Sequence, residues 1–229
     1  NLIFATDFSP NINKPDIIKK NYNHFTVYYN TKAKIPVCVF YKLTDLEIKN
    51  TKFSRFNNFV EDKDLGTAKE QNYSKTGYDL GHLFPAETAS FCIDAEYDCF
   101  SMSNIAPQNP SLNRGLWQKL ESFERNEALK DKKISAASGC IIGDNPKYLA
   151  NTEIVIPKYF YKVILVSQKS EIKAIGFIMP NEKISGKISQ YAVTIDKVEE
   201  MTNIDFFAEL DDEIENKIES KMDLSLWSF

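Results

Sequence analysis

The spacing of apolar positions changes several times along this chain, and each change marks an element. Residues 24–30 and 35–43 are rich in β-branched and aromatic side chains and are joined by the polar turn Thr31-Lys32-Ala33-Lys34, which predicts a β-hairpin. A different period starts at Ser111: Leu112, Leu116, Leu120 and Phe123 recur as one buried helical face, with Pro110 and Ser111 as entry and N-cap. Strands are predicted over 134–142, 159–167 and 172–179. The first ends in the turn Gly143-Asp144-Asn145-Pro146, and the other two are joined by Gln168-Lys169-Ser170 as antiparallel neighbours. Residues 191–195 read as a short strand or the lead into a helix over 198–202. Residues 211–222 carry acids at their front and Ile214, Ile218 and Met222 on one stripe, a docking helix whose seat is its own domain or a second copy. Residues 1–20 are an irregular polar lead-in, 44–78 a long loop able to lie over a site, and 88–98 an excursion before a strand at 99–103. The sum is an α+β fold. A central, mostly antiparallel sheet carries a strand, loop and helix unit on one face, divided as lead-in 1–21, body 22–210 and tail 211–229.

Composition narrows this little. The 229 residues suffice for one sizeable core, and 43% hydrophobic with 26% charged residues is ordinary for a globular protein. A net charge of −4 and a pI near 5.4 argue against coating nucleic acid through overall charge. A partner of that kind needs a local positive groove, for which Lys75, Arg114, Lys119, Arg125, Lys130, Lys132 and Lys133 are the candidates. No apolar run approaches the roughly 20 residues that span a bilayer. The chain begins at Asn1, which reads as a mature or trimmed form. The spacing of Cys38, Cys92, Cys99 and Cys140 does not suit zinc. A Cys92–Cys99 disulfide would favour an exported protein, secreted or periplasmic rather than cytoplasmic.

Two segments carry chemistry. One is Tyr78-Asp79-Leu80-Gly81-His82-Leu83-Phe84-Pro85-Ala86. The other runs from Ser103-Asn104-Ile105-Ala106-Pro107-Gln108 into Ser111-Leu112-Asn113-Arg114-Gly115-Leu116-Trp117, then Leu120-Glu121 and Arg125. Asn113, Trp117, Glu121 and Arg125 follow at i, i+4 steps and are expected to share one slowly drifting side of a helix, with Trp117 in the core. A hydrated magnesium ion accepts one or two protein oxygens, so one Asn carbonyl with a carboxylate behind it is sufficient. Hydrolysis of a phosphodiester also needs a proton acceptor, and His82 is better placed than His24, which opens an apolar strand. Gly81 leaves room where a nucleic-acid backbone could approach.

Together the segments resemble the DNA/RNA non-specific endonuclease family, the ββα-metal (His-Me finger) nucleases of Serratia nuclease and endonuclease G type. The family pattern is Asp-Arg-Gly-His, then Asn-Ile-(Ser/Thr/Ala)-Pro-Gln, then Leu-Asn-x-(Gly/Asn)-x-Trp-x-x-Leu-Glu. Here it reads Asp79-Leu80-Gly81-His82, Asn104-Ile105-Ala106-Pro107-Gln108, and Leu112-Asn113-Arg114-Gly115-Leu116-Trp117-Gln118-Lys119-Leu120-Glu121. The resemblance covers roughly residues 22–210 and implies metal-dependent cleavage of DNA and RNA with little sequence preference, leaving 5′-phosphates. It implies His82 as general base, Asn113 as ligand of Mg2+ (Mn2+ also admitted), Glu121 holding metal-bound water, and Arg125 with Arg55 on phosphate. Arg114, Lys119 and Gln108 are candidates for substrate contact, and Asp79 and Asn104 for holding the others in place. One departure stands out: the family arginine of the first motif is Leu80. Slower or more selective cleavage is expected from it. It also keeps open a nucleic-acid-binding or regulatory protein without activity, and a structure-selective nuclease. A homodimer and an inhibitor protein are further partners that the sequence allows without specifying.

Overall fold

The computed structural model describes residues 8–10, 12–50, 52–168 and 171–229. Among the described residues, eleven strands and six α-helices follow in order. β1 (Ile17–Asn21), β2 (Phe25–Asn30) and β3 (Ile35–Thr44) lead into α1 (Asp45–Lys49) and, after a long irregular stretch, β4 (Asp79–His82). Then come α2 (Ala86–Ala89), α3 (Ile93–Cys99), β5 (Ile105–Gln108) and α4 (Gln118–Asp131). β6 (Lys133–Ile141), β7 (Lys147–Tyr148), β8 (Val155–Ile156), β9 (Tyr159–Gln168), β10 (Glu171–Pro180) and β11 (Ala192–Val193) precede α5 (Ile195–Thr202) and α6 (Asp212–Glu219).

Seven strands form one sheet in the order β1-β2-β3-β6-β9-β10-β11, every neighbouring pair antiparallel. Its central strands are covered on both faces, so alternate residues enter two cores. On β9, Phe160, Ile164 and Val166 face a core shared with β4, β5 and α4, whereas Tyr161, Val163 and Leu165 face one shared with α5 and α6. The expected hairpin is β2–β3, and the pair β9–β10 is antiparallel as read. Two of the three residues of the turn joining that pair, Lys169 and Ser170, lie outside the described residues. The tail helix seats on its own domain: Ile214 and Ile218 of α6 pack into the second core beside Val198 of α5.

Four expectations differ from what is observed. Ile17–Asn21 is an edge strand rather than part of an irregular lead-in. Its sequence Ile-Ile-Lys-Lys-Asn lacks alternation because an edge strand buries little, and the pairing with β2 supplies the order. The stretch 44–78 contains α1, whose Thr44–Glu47 capping box (Glu47 N to Thr44 Oγ1 3.3 Å, Thr44 N to Glu47 Oε2 2.8 Å) is a helix start written in the sequence. Residues 99–103 form no strand. Ser101 and Ser103 turn their hydroxyls to each other (2.9 Å) and to Tyr22 (2.9 and 2.7 Å), and such local bonds compete with a ladder, so pairing starts at Ile105. All four cysteines are free. Cys92 and Cys99 stand at opposite ends of α3, and the Cys99 thiol donates to the Glu96 carbonyl instead (3.2 Å).

Candidate active site

β4 and β5 pair antiparallel in the register Asp79↔Gln108 to His82↔Ile105, and the chain then enters the helix that ends as α4. His82 closes β4 beside a rigid bend. Asn104, fully buried, accepts from Phe84 N (2.8 Å) and donates to the carbonyls of Phe84 (3.0 Å) and Cys99 (2.8 Å), while Leu83 N reaches the Asn104 carbonyl (3.1 Å). Asn104 thus fixes the direction in which His82 points. The imidazole is 8% exposed, packed against Phe59 (5.5 Å between centroids) and edge-on against Phe100 (4.8 Å). Its Nε2 has no hydrogen-bond partner among the described residues. Burial, aided by the nearby Arg55 charge, lowers its pKa from 6.5 to about 3, so the ring is neutral at any ordinary pH.

The helix is entered two residues earlier than the sequence suggests. Asn109 Oδ1 accepts from Ser111 N (2.9 Å), so Asn109 is the cap, and Ser111 already has helical angles (φ −69°, ψ −35°). Residues Leu112–Trp117 form a widened turn kinked at Gly115 (φ −117°, ψ −107°) before α4 begins. The extra residue breaks the expected i, i+4 face. Asn113 and Glu121 face a common cleft, whereas Trp117 is fully buried against Phe160 (5.6 Å). Asp79 ties this turn to β4: it accepts from Asn113 Nδ2 (2.9 Å) and is gripped in a fork by Arg114 (Nε 2.8 Å, Nη2 2.6 Å). With its amide nitrogen held there, the Asn113 carbonyl oxygen is turned away from Asp79 and accepts no hydrogen bond among the described residues.

The cleft has a volume of about 470 Å³ and is lined by His82, Asn113, Glu121, Arg55, Leu80 and Arg114, among others. Behind this lining lies the fully buried Phe100, which meets His82 edge-on and has the Arg55 guanidinium 5.2 Å from its ring centre. The strand-free segment bearing Arg55 is fastened down by Phe56 N to Glu96 Oε1 (2.8 Å) and by Val60 N to the Phe100 carbonyl (3.0 Å). Burial pushes Glu121 up to about 7. Glu124 and Glu87 add to that effect, while Lys162 and Arg125 oppose it.

Not every candidate reaches the cleft. Arg125 is bound to Glu87 (2.8 Å), which lines the rim, and to Ser122 Oγ (3.1 Å). Lys119 is exposed and does not line it. Gln108 is fully buried, so it cannot touch a substrate. The room left by Gly81 serves this glutamine: a Cβ there would lie 2.4 Å from Gln108 Oε1, so the glycine accommodates the neighbouring strand and not a nucleic acid. The proposed lysine groove is also absent, since Lys75, Lys130, Lys132 and Lys133 lie off the cleft, whose cations are Arg55 and Arg114.

Sequence reasoning missed Lys162. It is fully buried beneath the helix, donating to Glu124 Oε2 (2.5 Å, also fully buried) and Tyr41 OH (2.6 Å), with its ammonium 5.6 Å from the Trp117 ring. The signal was present: a lysine at an inward position between Phe160 and Ile164 must find a carboxylate.

A sequence profile described as DNA/RNA non-specific endonuclease matches residues 6–213. The chain belongs to this family. Among its relatives is the mitochondrial nuclease of Saccharomyces cerevisiae, 28% identical over 212 residues, which are 81% of this chain and 64% of that protein. Nuclease C1 of Cunninghamella echinulata var. echinulata is 32% identical over 171 residues, 68% of each. The solved structure of the EndoG/EndoGI complex superimposes with a TM-score of 0.78 at 24% identity, covering 84% of this chain and 86% of that one. The endonuclease fold is therefore the ββα-metal type, with β4, β5 and the Asn113 helix as its ββα unit. The chain spans less than two thirds of the length of the first curated relatives it matches, 64% and 59%. No helix among the described residues is long and apolar enough to cross a membrane.

Proposed function

We propose that this chain is a Mg2+-dependent endonuclease, with Mn2+ as an alternative ion, that hydrolyses DNA and RNA with little sequence preference and leaves 5′-phosphates. One observation carries the reading: a neutral, buried histidine with an unpartnered Nε2 and an asparagine with an unpartnered carbonyl oxygen line the same cleft. The donor set fits a hard cation. Asn113 offers an oxygen oriented by Asp79, and Glu121 offers a carboxylate beside it. When bound there, the ion would supply positive charge for the phosphoryl and departing oxygens.

The chain's own residues do the rest. His82 takes the proton of the attacking water. Its ring is always available as an acceptor, and an anionic phosphate beside it favours the imidazolium and so strengthens the base. Glu121, on the cleft wall beside Asn113, would orient water around a bound ion. Arg55, braced on Phe100, positions phosphate, and Arg125 does so once Glu87 releases it. Arg114 holds Asp79, which keeps Asn113 aimed. Contacts to phosphate and sugar carry no base information, which accounts for low specificity. An inhibitor protein is a fitting partner class, given that EndoG was solved in complex with EndoGI.

The test is digestion of supercoiled plasmid and of RNA by wild type, His82→Ala and Asn113→Ala, with Mg2+ or with EDTA. Wild type is expected to nick both substrates only with the metal, and each variant to lose at least about 100-fold in rate, in line with removal of a general base or a metal ligand. Binding of nucleic acid without nicking in Mg2+ would refute the catalytic reading in favour of a binding protein.

A further inference from the structure

On the sheet face away from the cleft, α5 and α6 bring carboxylates together without cations. Oxygens of Asp196, Glu199 and Glu219 all lie within 4.8 Å of one another. Asp196 and Glu199 stand three residues apart on α5, and Glu215 and Glu219 four apart on α6, so each helix offers a pair from one side. Glu219 is 7% exposed, and its Oε1 has no hydrogen-bond partner among the described residues. The Oε1 of Glu215, one turn earlier, is likewise enclosed and unpartnered. Glu199 is aimed by the Phe206 N–H, which donates to its Oε1 (2.7 Å). No Lys, Arg or His among the described residues forms an ion pair with any of these acids. A buried carboxylate without a counter-charge is costly, so Glu219, the buried member of a group whose Glu199 is half-buried and whose Asp196 is exposed, needs either a proton or a cation.

We propose that Asp196, Glu199 and Glu219 hold a divalent cation of the calcium class that fastens α6 to α5. Calcium takes six to eight oxygens at roughly 2.3–2.6 Å, so oxygens on opposite sides of one ion stand about 4.6–5.2 Å apart. Three ligand oxygens that all lie within 4.8 Å of one another are no farther apart than one such ion allows. Three carboxylates, with water and Glu215 beside them, supply a sufficient all-oxygen shell. The absence of His and Cys from the set argues against zinc or copper. Burial first, and neighbouring carboxylates after it, raise Glu219 to about 8 and Glu199 to about 7, so without an ion these carboxyls hold protons in place of charge. The site is independent of the cleft. α5 and α6 pack on the second core, and the ββα unit packs on the first.

The experiment uses the full chain carrying Asn113→Ala, so that cation binding at the cleft does not contribute. Calcium chloride is titrated by calorimetry, and Tm is followed with and without it. One ion per chain is expected, with Tm raised by roughly 5–10 °C at a hundredfold excess over Kd. Adding Glu219→Gln should weaken binding by about tenfold or more while leaving Tm in EDTA unchanged or higher, because the amide replaces a carboxyl that is largely neutral without the ion. Asp196→Asn, at an exposed position that cannot disturb packing, should weaken binding in the same way. The proposal is overturned by a chain that takes up no calcium, by binding that neither substitution weakens, or by stabilisation on acidification alone, which would mean that the carboxyls share protons instead.

Discussion

Gly81→Ala tests whether the geometry of the cleft depends on the contact between β4 and β5. The added Cβ would lie 2.4 Å from Gln108 Oε1, 2.6 Å from Gln108 Cβ and 3.0 Å from Gln108 Cδ. Carbon atoms in good contact are about 3.5–4.0 Å apart, so the two strands must separate by about 1 Å. The glutamine cannot swing aside, because it is fully buried. Overpacking of this kind costs about 1–3 kcal/mol, equivalent to a fall in Tm of roughly 2–4 °C per kcal/mol in a chain of this size. Asp79 and His82 flank the displaced position, and a misplacement near 1 Å can cost on the order of 100-fold in rate. The assay pairs a thermal melt with kcat/KM for plasmid nicking. The double variant Gly81→Ala with Gln108→Gly removes the clashing side chain, together with two amide atoms that have no partner. It should recover much of both losses, measured against Gln108→Gly alone. If Gly81→Ala matches wild type in both measurements, or if the two substitutions are simply additive, the strand contact does not set the site.

Breaking the buried Lys162–Glu124 pair with Lys162→Met should cost about 3–5 kcal/mol in a urea melt, because it strands a fully buried carboxylate; Lys162→Met with Glu124→Leu should recover most of that, since an apolar pair avoids the desolvation of both charges. Glu121 binds an extra proton when folded, having been raised from 4.5 to about 7. Its contribution to stability is therefore greatest at acid pH and is lost as pH climbs through 7, and Glu121→Gln should flatten that part of the stability curve. The same proton must leave when a cation arrives, so calorimetry of Mg2+ binding near pH 6.5 should show proton release in wild type and none in Glu121→Gln. Leu80→Arg should raise kcat/KM by roughly tenfold or more by adding a donor to the cleft wall, and no gain in rate or phosphate affinity would count against the reading of Leu80 as a lost clamp.

The first core was legible in the chain itself. The β2–β3 hairpin and the β9–β10 pair appear as apolar runs joined by short polar turns, and β6 as an apolar run, but the place of β6 between β3 and β9 is not written in the pattern. The candidate site was picked out mainly by the resemblance of two segments to the family, and the structure brings Asp79, His82, Asn113 and Glu121 to one cleft.

What tertiary structure decided is direction. A widened turn at Leu112–Trp117, kinked at Gly115, separates positions that a regular i, i+4 ladder would align: Asn113 and Glu121 line the cleft, while Trp117 lies in the core, as its residue type led one to expect. A helical wheel drawn on the sequence assumes a constant 3.6 residues per turn and cannot anticipate this. Gln108 looked available and is buried, because only the pairing with β4 places it under Gly81. Lys162, and the acids of α5 and α6, acquire their partners or lack them only when elements distant in sequence meet. Charge is written in the sequence one residue at a time, but its energy depends on burial and on the nearest opposite charge, which the folded chain alone sets.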